Sequence, residues 1–282
     1  MDSMQKINFH THTTFCDGKD TPERMAQAAF AKGFSVLGFS GHSMFPFATK
    51  WHIAPREHQA YVSSIRKIAA DYEGRMSIKC GFEADYVRGI CIPDKEFYSE
   101  LSPDFLIGSV HYVVTEKGHY SVDSSAERVS RGLEILYRND GKQAVQDYFE
   151  AQRFMLAHGN FEIWGHPDLI RKRNGILHFF DENENWYREE LRLTAKAAAA
   201  AGVIAEINTG AIARGAMDAL YPSDEFLKII HDEGIPVMIN SDAHSVDGLD
   251  CAFDRAKKAA LRAGYTETVW PDGGKINTVR IV

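Results

Sequence analysis

Short apolar runs rich in β-branched residues alternate with longer amphipathic stretches along the chain. Strands are predicted at residues 6–9, 35–40, 76–82, 104–110, 161–165, 203–208 and 236–240, with a closing strand near residues 278–282. Helices are predicted at residues 21–33, 55–73, 141–158, 183–202, 223–234 and 247–263. Strands that alternate with helices in this way are typical of repeated βα units around a parallel sheet, so the predicted fold class is α/β.

No Pro/Ser-rich linker, low-complexity tract or internal repeat divides residues 1–282. We therefore predict one barrel-like domain, because (β/α) barrels reach this length as single units. Two connections, residues 43–56 and 112–140, are longer than usual for a compact fold. Loops of that length often cover or line a binding site, and we expect the same here.

The charge and the apolar segments limit the classes of partner. The formal net charge is -7 at pH 7, and the chain has no long basic run. Nucleic-acid binding draws most of its affinity from clustered Lys and Arg, so we expect a small-molecule partner instead. Residues 1–18 lack the pattern of a signal peptide and no segment has the apolar length of a membrane span, so neither export nor a membrane partner is expected. The four cysteines form no CxxC pair, which fits a reducing, cytoplasmic location.

Histidine and carboxylate residues follow the predicted strands, at the point where each strand ends. His10 and His12 lie two residues apart after the first strand, and this spacing points both imidazoles to the same side. The corresponding positions at later strands hold His42, Glu83, His111, His166, Asp242 and His244, and Asp17 lies in the loop after the first strand. Because the carboxyl ends of all strands of a parallel barrel meet on one face, we expect these side chains to converge.

Each of these residues also has an ordinary structural interpretation, since a strand-end His can cap a carbonyl, Glu83 can pair with an Arg, and Asp242 can cap a helix. Their recurrence at successive strands is what indicates a shared site. Without a cation, the packed carboxylates and imidazoles would be opposed by desolvation and mutual repulsion. Mixed imidazole and carboxylate ligands suit Zn, Mn or Fe, and this number of ligands predicts two to three divalent ions.

The other histidines lie in loops or helices away from the strand ends. Most are predicted to be surface residues, namely His58, His119, His158, His178 and His231. His52 lies in the long connection after the second strand, where we interpret it as a lid contact.

The motifs FHTHTTFCDG, FSGHSMF, GFEAD, IGSVHY, GHPDLI, EINTG and INSDAH resemble those of the polymerase-and-histidinol-phosphatase (PHP) family of metallohydrolases, over nearly the whole chain. Within that family the chain looks most similar to the histidinol-phosphate phosphatases. The resemblance implies a distorted (β/α)7 TIM-like barrel with a metal site at the C-terminal ends of the strands. It also implies three metal positions, the first with His10, His12, Glu83 and Asp242, the second with Glu83, His111 and His166, and the third with Asp17, His42 and His244.

Two positions depart from the pattern of the family. Gly41 stands where many members have Asp, and Asp17 stands where some members have His. The second difference could alter the metal preference of the third position.

The resemblance implies hydrolysis of L-histidinol phosphate to L-histidinol and inorganic phosphate, a step of histidine biosynthesis. In the mechanism that we favour, a metal-bound hydroxide attacks phosphorus in line. Asp17 or His244 would protonate the leaving alkoxide, although a metal-bound water could serve equally well.

Four further polar residues are interpreted by their positions near strand ends. Arg171 and Arg214 lie in loops on the active face, and a guanidinium matches the geometry of phosphate oxygens. Glu206 or Asp168 could receive a substrate ammonium, although a structural ion pair is the favoured interpretation of Glu206.

Two alternative functions stay open. An enzyme of the same family could hydrolyse another phosphomonoester, a nucleotide or a phosphodiester, with the same barrel and metals but differently shaped loops. A non-catalytic metal-binding module is the other alternative, and the completeness of the ligand set argues against it.

Overall fold

Strands and helices alternate through residues 5–281, which are the residues that the computed structural model describes. The strands are β1 (Lys6–Asn8), β2 (Phe34–Ser43), β3 (Ser77–Asp85), β4 (Phe105–Ser109), β5 (Tyr112–Thr115), β6 (Gly118–Ser121), β7 (Ile163–Trp164), β8 (Ile204–Asn208), β9 (Val237–Asn240), β10 (Glu267–Asp272) and β11 (Lys275–Arg280). The helices are α1 (Pro22–Ala31), α2 (His58–Asp71), α3 (Ala126–Tyr137), α4 (Gly141–His158), α5 (Asn174–Leu177), α6 (Asn185–Ala201), α7 (Gly210–Ala213), α8 (Asp224–Asp232) and α9 (Phe253–Ala263). Every predicted helix is present, and the largest difference is in the last one, which begins at Phe253 rather than at residue 247.

Seven parallel strands in the described part of the chain form one sheet, in the order β1-β2-β3-β4-β7-β8-β9. The two edges of this sheet meet just beyond β1 and β9. There the backbone N–H of His12 donates to the carbonyl of Ala243 at 2.8 Å, and the N–H of Ala243 donates to the carbonyl of His10 at 3.1 Å. The sheet is therefore nearly closed into a barrel with helices between its strands, which confirms the predicted fold.

Apolar side chains from strands on all sides fill the barrel interior. This inner cluster consists of Phe9, Val36, Phe105, Ile107, Ile163, Ile204 and Met238. A larger cluster lies between the outer face of the sheet and the surrounding helices. Because each fully buried side chain of this size stabilises the fold by about 1.5–3 kcal/mol, the two layers hold the strand ends in fixed positions.

Local signals in the sequence set the helix ends. The Thr21 side chain accepts a hydrogen bond from the N–H of Arg24 at the start of α1, where Pro22 takes a first-turn position that needs no donor. Gly202 has a φ of +70° and ends α6. Among residues 5–281, no helix combines the length and the apolar character that crossing a membrane requires.

The C-terminal strand does not close the barrel, so the prediction for residues 278–282 is wrong; residue 282 lies outside the described residues. Instead, β11 pairs antiparallel with β10 in a separate hairpin. Gly273 and Gly274 between them have φ values of +55° and +80°, and two successive residues of positive φ favour a tight hairpin turn. Trp270 of this hairpin packs against the inner cluster, with its ring 6.0 Å from that of Phe9.

The connection at residues 112–140 is not the irregular loop that its sequence indicated. It contains the hairpin of β5 and β6 followed by α3. The segment buries its own apolar side chains, including Val113, Tyr120 and Leu136. A Cβ atom at Gly132 would lie 2.8 Å from the Tyr120 side chain, so glycine allows α3 to lie directly on the hairpin.

His58 is buried, which corrects its predicted surface position. It is the first residue of α2, and its ring lies 5.2 Å from the ring of Phe82 and 5.7 Å from that of Phe45. The side of the helix on which it lies could not be inferred from its place in the sequence. The remaining histidines of that group are exposed (His119, His158 and His178) or partly buried (His231).

Burial lowers the pKa of His58 to about 4 from its ordinary value of 6.5. Between these two pH values the unfolded chain binds a proton that the folded chain does not, so stability is full above pH 6.5 and falls as the pH drops towards 4. We expect His58 to account for a loss on the order of 2 kcal/mol between pH 7 and pH 5. Urea unfolding of wild type and His58→Gln at both pH values checks this, and equal losses in the two proteins would contradict it.

Candidate metal centre

The nine predicted metal ligands meet at the C-terminal ends of the barrel strands. His10 and His12 follow β1, His42 and Glu83 lie within the last residues of β2 and β3, and His111 follows β4. After β7 comes His166, after β9 come Asp242 and His244, and Asp17 lies in the loop after β1. Apart from Asp17 and His244, all of these residues are buried.

The carboxylate of Glu83 lies at the centre of this group. Its Oε2 atom is 3.0 Å from His10 Nε2, 3.4 Å from His12 Nε2 and 2.8 Å from His42 Nδ1. Its Oε1 atom is 2.8 Å from His166 Nε2 and 3.4 Å from His111 Nε2. Each carboxylate oxygen therefore faces a different set of imidazoles, so Glu83 would be able to offer one oxygen to each of two cations.

Two further carboxylates lie on the side of His12 and His244. Asp242 Oδ1 is 3.2 Å from His12 Nε2 and 3.5 Å from His244 Nδ1. Asp17 Oδ1 is 3.3 Å from His244 Nε2 and 3.6 Å from His42 Nε2. Ligand atoms of His12, Asp17, His42 and His244 all lie within 4.8 Å of one another.

Several buried atoms of the cluster make no hydrogen bond within residues 5–281, because the short contacts that they make lack the angles that a hydrogen bond requires. These atoms are His10 Nε2, His12 Nε2, His42 Nδ1, His166 Nδ1 and Glu83 Oε2. Unpaired buried polar atoms are costly in a folded protein, unless a cation or solvent satisfies them. Because the unpaired atoms are metal-ligand types that face one another, the residues present fit a site for more than one metal ion.

The electrostatic environment keeps the Glu83 and Asp242 carboxylates ionised. Burial alone would raise the pKa of Glu83, but the imidazoles of His10, His42 and His111 together hold that pKa well below its usual range. For Asp242, burial is likewise outweighed by Arg214 and His10, and its pKa is also well below its usual range. Ionised carboxylates are the form that binds divalent cations.

Two residues of the cluster have unusual backbone conformations. His166 and Asp242 have φ values of +24° and +51°, and neither is glycine. Such conformations cost about 1–3 kcal/mol each and occur mainly where function requires them. Here they turn the chain directly after β7 and β9 and bring both side chains into the cluster.

Gly41 precedes His42 at the end of β2. A Cβ atom at this position would lie 2.5 Å from Ile53 Cδ1 and 3.5 Å from the ring of Tyr61. The absence of a side chain therefore allows Ile53, in the long connection, to pack onto β2 beside the cluster.

Two buried carboxylates contact the proposed ligands through atoms that do not face Glu83. Glu206 Oε1 is 2.6 Å from His10 Nδ1, and Glu206 Oε2 accepts a hydrogen bond from the backbone N–H of His166 at 2.9 Å. Asp85 Oδ1 is 2.5 Å from His111 Nδ1. The structural interpretation of Glu206 agrees with these contacts. Asp85 was missed, although it lies two residues after Glu83 on β3, and the period of a strand places it on the same side.

A cavity of about 720 Å³ opens above the cluster. It is lined by Asp17, His42, His111, His166, Asp242 and His244. Arg214 also lines it, and its guanidinium donates to Asp242 Oδ2 and to the backbone carbonyl of Asp242, both at 2.8 Å. A Cβ atom at Gly210 would lie 2.8 Å from the Arg214 guanidinium and from Asp242 Oδ2, so glycine makes room for this contact.

The structure does not bring Arg171 to this cavity. Its guanidinium lies 3.4 Å from Asp168 Oδ2 and 2.7 Å from Glu182 Oε2, and it also donates to the carbonyl of Leu220. The neighbouring residue, Lys172, lines the cavity instead, with its Nζ atom 3.0 Å from Asp123 Oδ2. The sequence contained both cations, but it could not show which of two adjacent side chains faces the cavity.

The sequence matches the family described as "PHP domain" over residues 8–210. The chain is similar to "Probable histidinol-phosphatase" of Deinococcus radiodurans, with 28% identity over 90% of this chain and 92% of that protein. It is also similar to "Histidinol-phosphatase" of Bacillus subtilis (strain 168), with 24% identity over 89% of this chain and 98% of that protein. The crystal structure of histidinol phosphate phosphatase from Lactococcus lactis subsp. lactis Il1403, complexed with Zn, L-histidinol and phosphate, superposes with a TM-score of 0.72 at 22% identity, covering 98% of this chain and 100% of that one.

Proposed function

Because this chain belongs to the PHP domain family, we propose that it is a metal-dependent phosphatase that hydrolyses L-histidinol phosphate to L-histidinol and inorganic phosphate. The observation that carries this proposal is the cluster of His, Glu and Asp at the strand ends, open to a cavity that also holds cationic side chains. The two relatives named histidinol-phosphatase support the choice of substrate, since each is similar along nearly its whole length. The reaction belongs to histidine biosynthesis, and we place it in the cytoplasm.

The ligand cluster fits a multi-metal PHP site. We propose two to three divalent transition metal ions, Zn, Mn or Fe, held by the nine residues of the cluster. Divalent ions bound there supply Lewis-acid activation of water and neutralise charge on phosphoryl oxygens. Phosphate monoester hydrolysis is among the slowest uncatalysed reactions in water, so dense positive charge of this kind is what the reaction needs.

The chain itself adds positive charge around the cavity. Arg214 lies next to Asp242 and presents a planar guanidinium, which suits the oxygens of a phosphoryl group. Lys172 offers a second cation on the same cavity. Arg128 and Arg131 also line the cavity, and no salt bridge to either is found within residues 5–281. Cations without a carboxylate partner attract an anionic ester towards a chain whose net charge is negative.

The leaving alkoxide needs a proton, and two side chains at the edge of the cavity are placed to give one. Asp17 and His244 both line the cavity, and their side chains are more exposed than those of the other proposed ligands. We propose whichever of these two does not hold a metal ion as the proton donor. Asp17 Oδ1 and His244 Nε2 lie 3.3 Å apart.

A larger phosphomonoester, such as a nucleotide, is the second candidate substrate. It is favoured by Arg128 and Arg131, which extend the positive charge of the cavity beyond the cluster. The barrel and the metal site would be the same for either ester.

The proposal is tested by measuring the hydrolysis of L-histidinol phosphate and, for comparison, of glucose 6-phosphate, AMP and a phosphodiester. The protein is used with its metals counted by elemental analysis, and the same preparation stripped with a chelator is the control. We expect a kcat/KM for L-histidinol phosphate about 10²-fold or more above the others, because a site that pairs polar groups of its substrate rejects esters that lack them. A preference for AMP would favour the second candidate, and no hydrolysis with no bound metal would indicate a non-catalytic module.

A further inference from the structure

A chain of hydrogen bonds joins the long connection after β2 to the proposed metal ligand His111. His52, in that connection, has its Nε2 atom 2.8 Å from Asp85 Oδ2. The other carboxylate oxygen, Asp85 Oδ1, lies 2.5 Å from His111 Nδ1. The His52 and Asp85 side chains are almost completely buried, at 0% and 1% exposure, so water does not compete for these bonds.

The donors and acceptors in this chain fix the protons on the two imidazole nitrogens that face Asp85. The ionised Asp85 carboxylate can only accept, so His52 Nε2 and His111 Nδ1 both carry the hydrogen. His52 Nδ1 must then accept, and it receives hydrogen bonds from the Thr49 hydroxyl at 2.8 Å and the Thr49 N–H at 3.2 Å. The proton on Nδ1 leaves Nε2, which is 3.4 Å from Glu83 Oε1, as the atom of His111 that can bind a metal ion. That is the form in which an imidazole binds a metal.

Aromatic contacts fix the ring of His52 in place. Trp51 stacks on it, with the two ring centroids 3.7 Å apart and the planes at 28°. The indole of Trp51 also lies edge-on to His42 at 4.6 Å and to His111 at 5.4 Å, and it donates to the Tyr112 hydroxyl at 3.2 Å. The connection is thus packed against two proposed ligands, and through Asp85 the side chain of His52 makes a polar link to one of them.

We propose that His52 is a positioning residue for the metal site. By holding the second oxygen of Asp85, it fixes that carboxylate, and the carboxylate in turn fixes the ring and the protonation of His111. Loss of the His52 bond would leave Asp85 free to rotate, and His111 would then hold its metal ion less tightly. This inference rests on the proposed metal site, and it is independent of which phosphate ester the enzyme hydrolyses.

The test measures how fast zinc leaves the fully loaded protein to an excess of a chromophoric chelator. We expect His52→Leu, which cannot donate to Asp85, to lose zinc up to about 10-fold faster, since removing a direct partner of a ligand costs about 10- to 100-fold and His52 acts one contact further away. His52→Gln places an amide N–H near the former Nε2 position, so it should restore most of the retention. The kcat of His52→Leu should recover at saturating zinc, while its KM stays unchanged.

His58→Leu is the matched control, because His58 is also a buried histidine close to this connection but contacts no proposed ligand. A purely structural role for His52 predicts equal effects of the two Leu variants, and either that result or unchanged zinc release in His52→Leu would overturn the inference. If His52→Leu does not fold, His52→Asn replaces it, since its amide is too short to reach Asp85. A wild-type protein that binds none of zinc, manganese and iron would overturn both the metal site and this inference, whereas bound metal without hydrolysis of histidinol phosphate would overturn only the proposed substrate.

Discussion

Glu83→Gln should leave the folded protein with almost no phosphatase activity and with fewer metal ions per chain. Glu83 is the residue whose two oxygens face five different imidazoles. An amide keeps the size of the side chain, but it removes the negative charge and turns an N–H₂ group towards lone pairs that should face cations. The loss of activity should exceed the roughly 10- to 100-fold loss that follows changes in residues that merely support a ligand.

Elemental analysis and phosphate release, measured on the same preparation, check this result. Glu190→Gln is a suitable control, because Glu190 is also buried but lies between α4 and α6, where it pairs with Arg153 at 2.6 Å. That variant should keep its metals and its activity, although it is expected to be less stable. Wild-type metal content and activity in Glu83→Gln would show that the cluster is not the metal site.

Much of the candidate site could be predicted because one geometric rule governs it. In a parallel barrel the carboxyl ends of the strands meet on one face, so residues far apart in sequence, such as His10 and Asp242, become neighbours. Their atoms His10 Nε2 and Asp242 Oδ1 are indeed 3.8 Å apart. The rule needs only the ends of the strands, which alternating apolar and polar segments mark well.

The features that could not be predicted depend on the direction of single side chains or on pairing between distant segments. His58 and Lys172 each lie in a segment whose orientation is set by tertiary packing. The spacing of residues in the sequence does not reveal that orientation. The hairpin of β10 and β11 was mistaken for a closing strand because an apolar run of that length fits either role. Its turn at Gly273 and Gly274 was the available signal, since two glycines between such runs favour a hairpin.

Arg214→Ala should lower kcat/KM for the phosphate ester by about 10²- to 10³-fold, the usual effect of removing one group that stabilises charge in a transition state. Arg214 is the Arg that the structure places both on the cavity and against Asp242. Arg214→Lys keeps the charge but loses the planar fork, so it should recover only part of the activity. Steady-state kinetics of the metal-loaded variants, with metal content measured in parallel, separates loss of phosphate binding from loss of metal.

Arg171 provides the contrasting case, since the same residue type lies nearby but away from the cavity. Its guanidinium is buried between Asp168 and Glu182, and burial raises the pKa of Asp168, a rise that Arg171 opposes. Arg171→Ala would leave the buried Asp168 without its cation, so the free energy of unfolding should fall by about 3 kcal/mol while the folded enzyme keeps most of its kcat/KM. If Arg171→Ala instead lost as much kcat/KM as Arg214→Ala at unchanged stability, phosphate binding would belong to Arg171, and its ion pairs in this structure would have to open when the substrate binds.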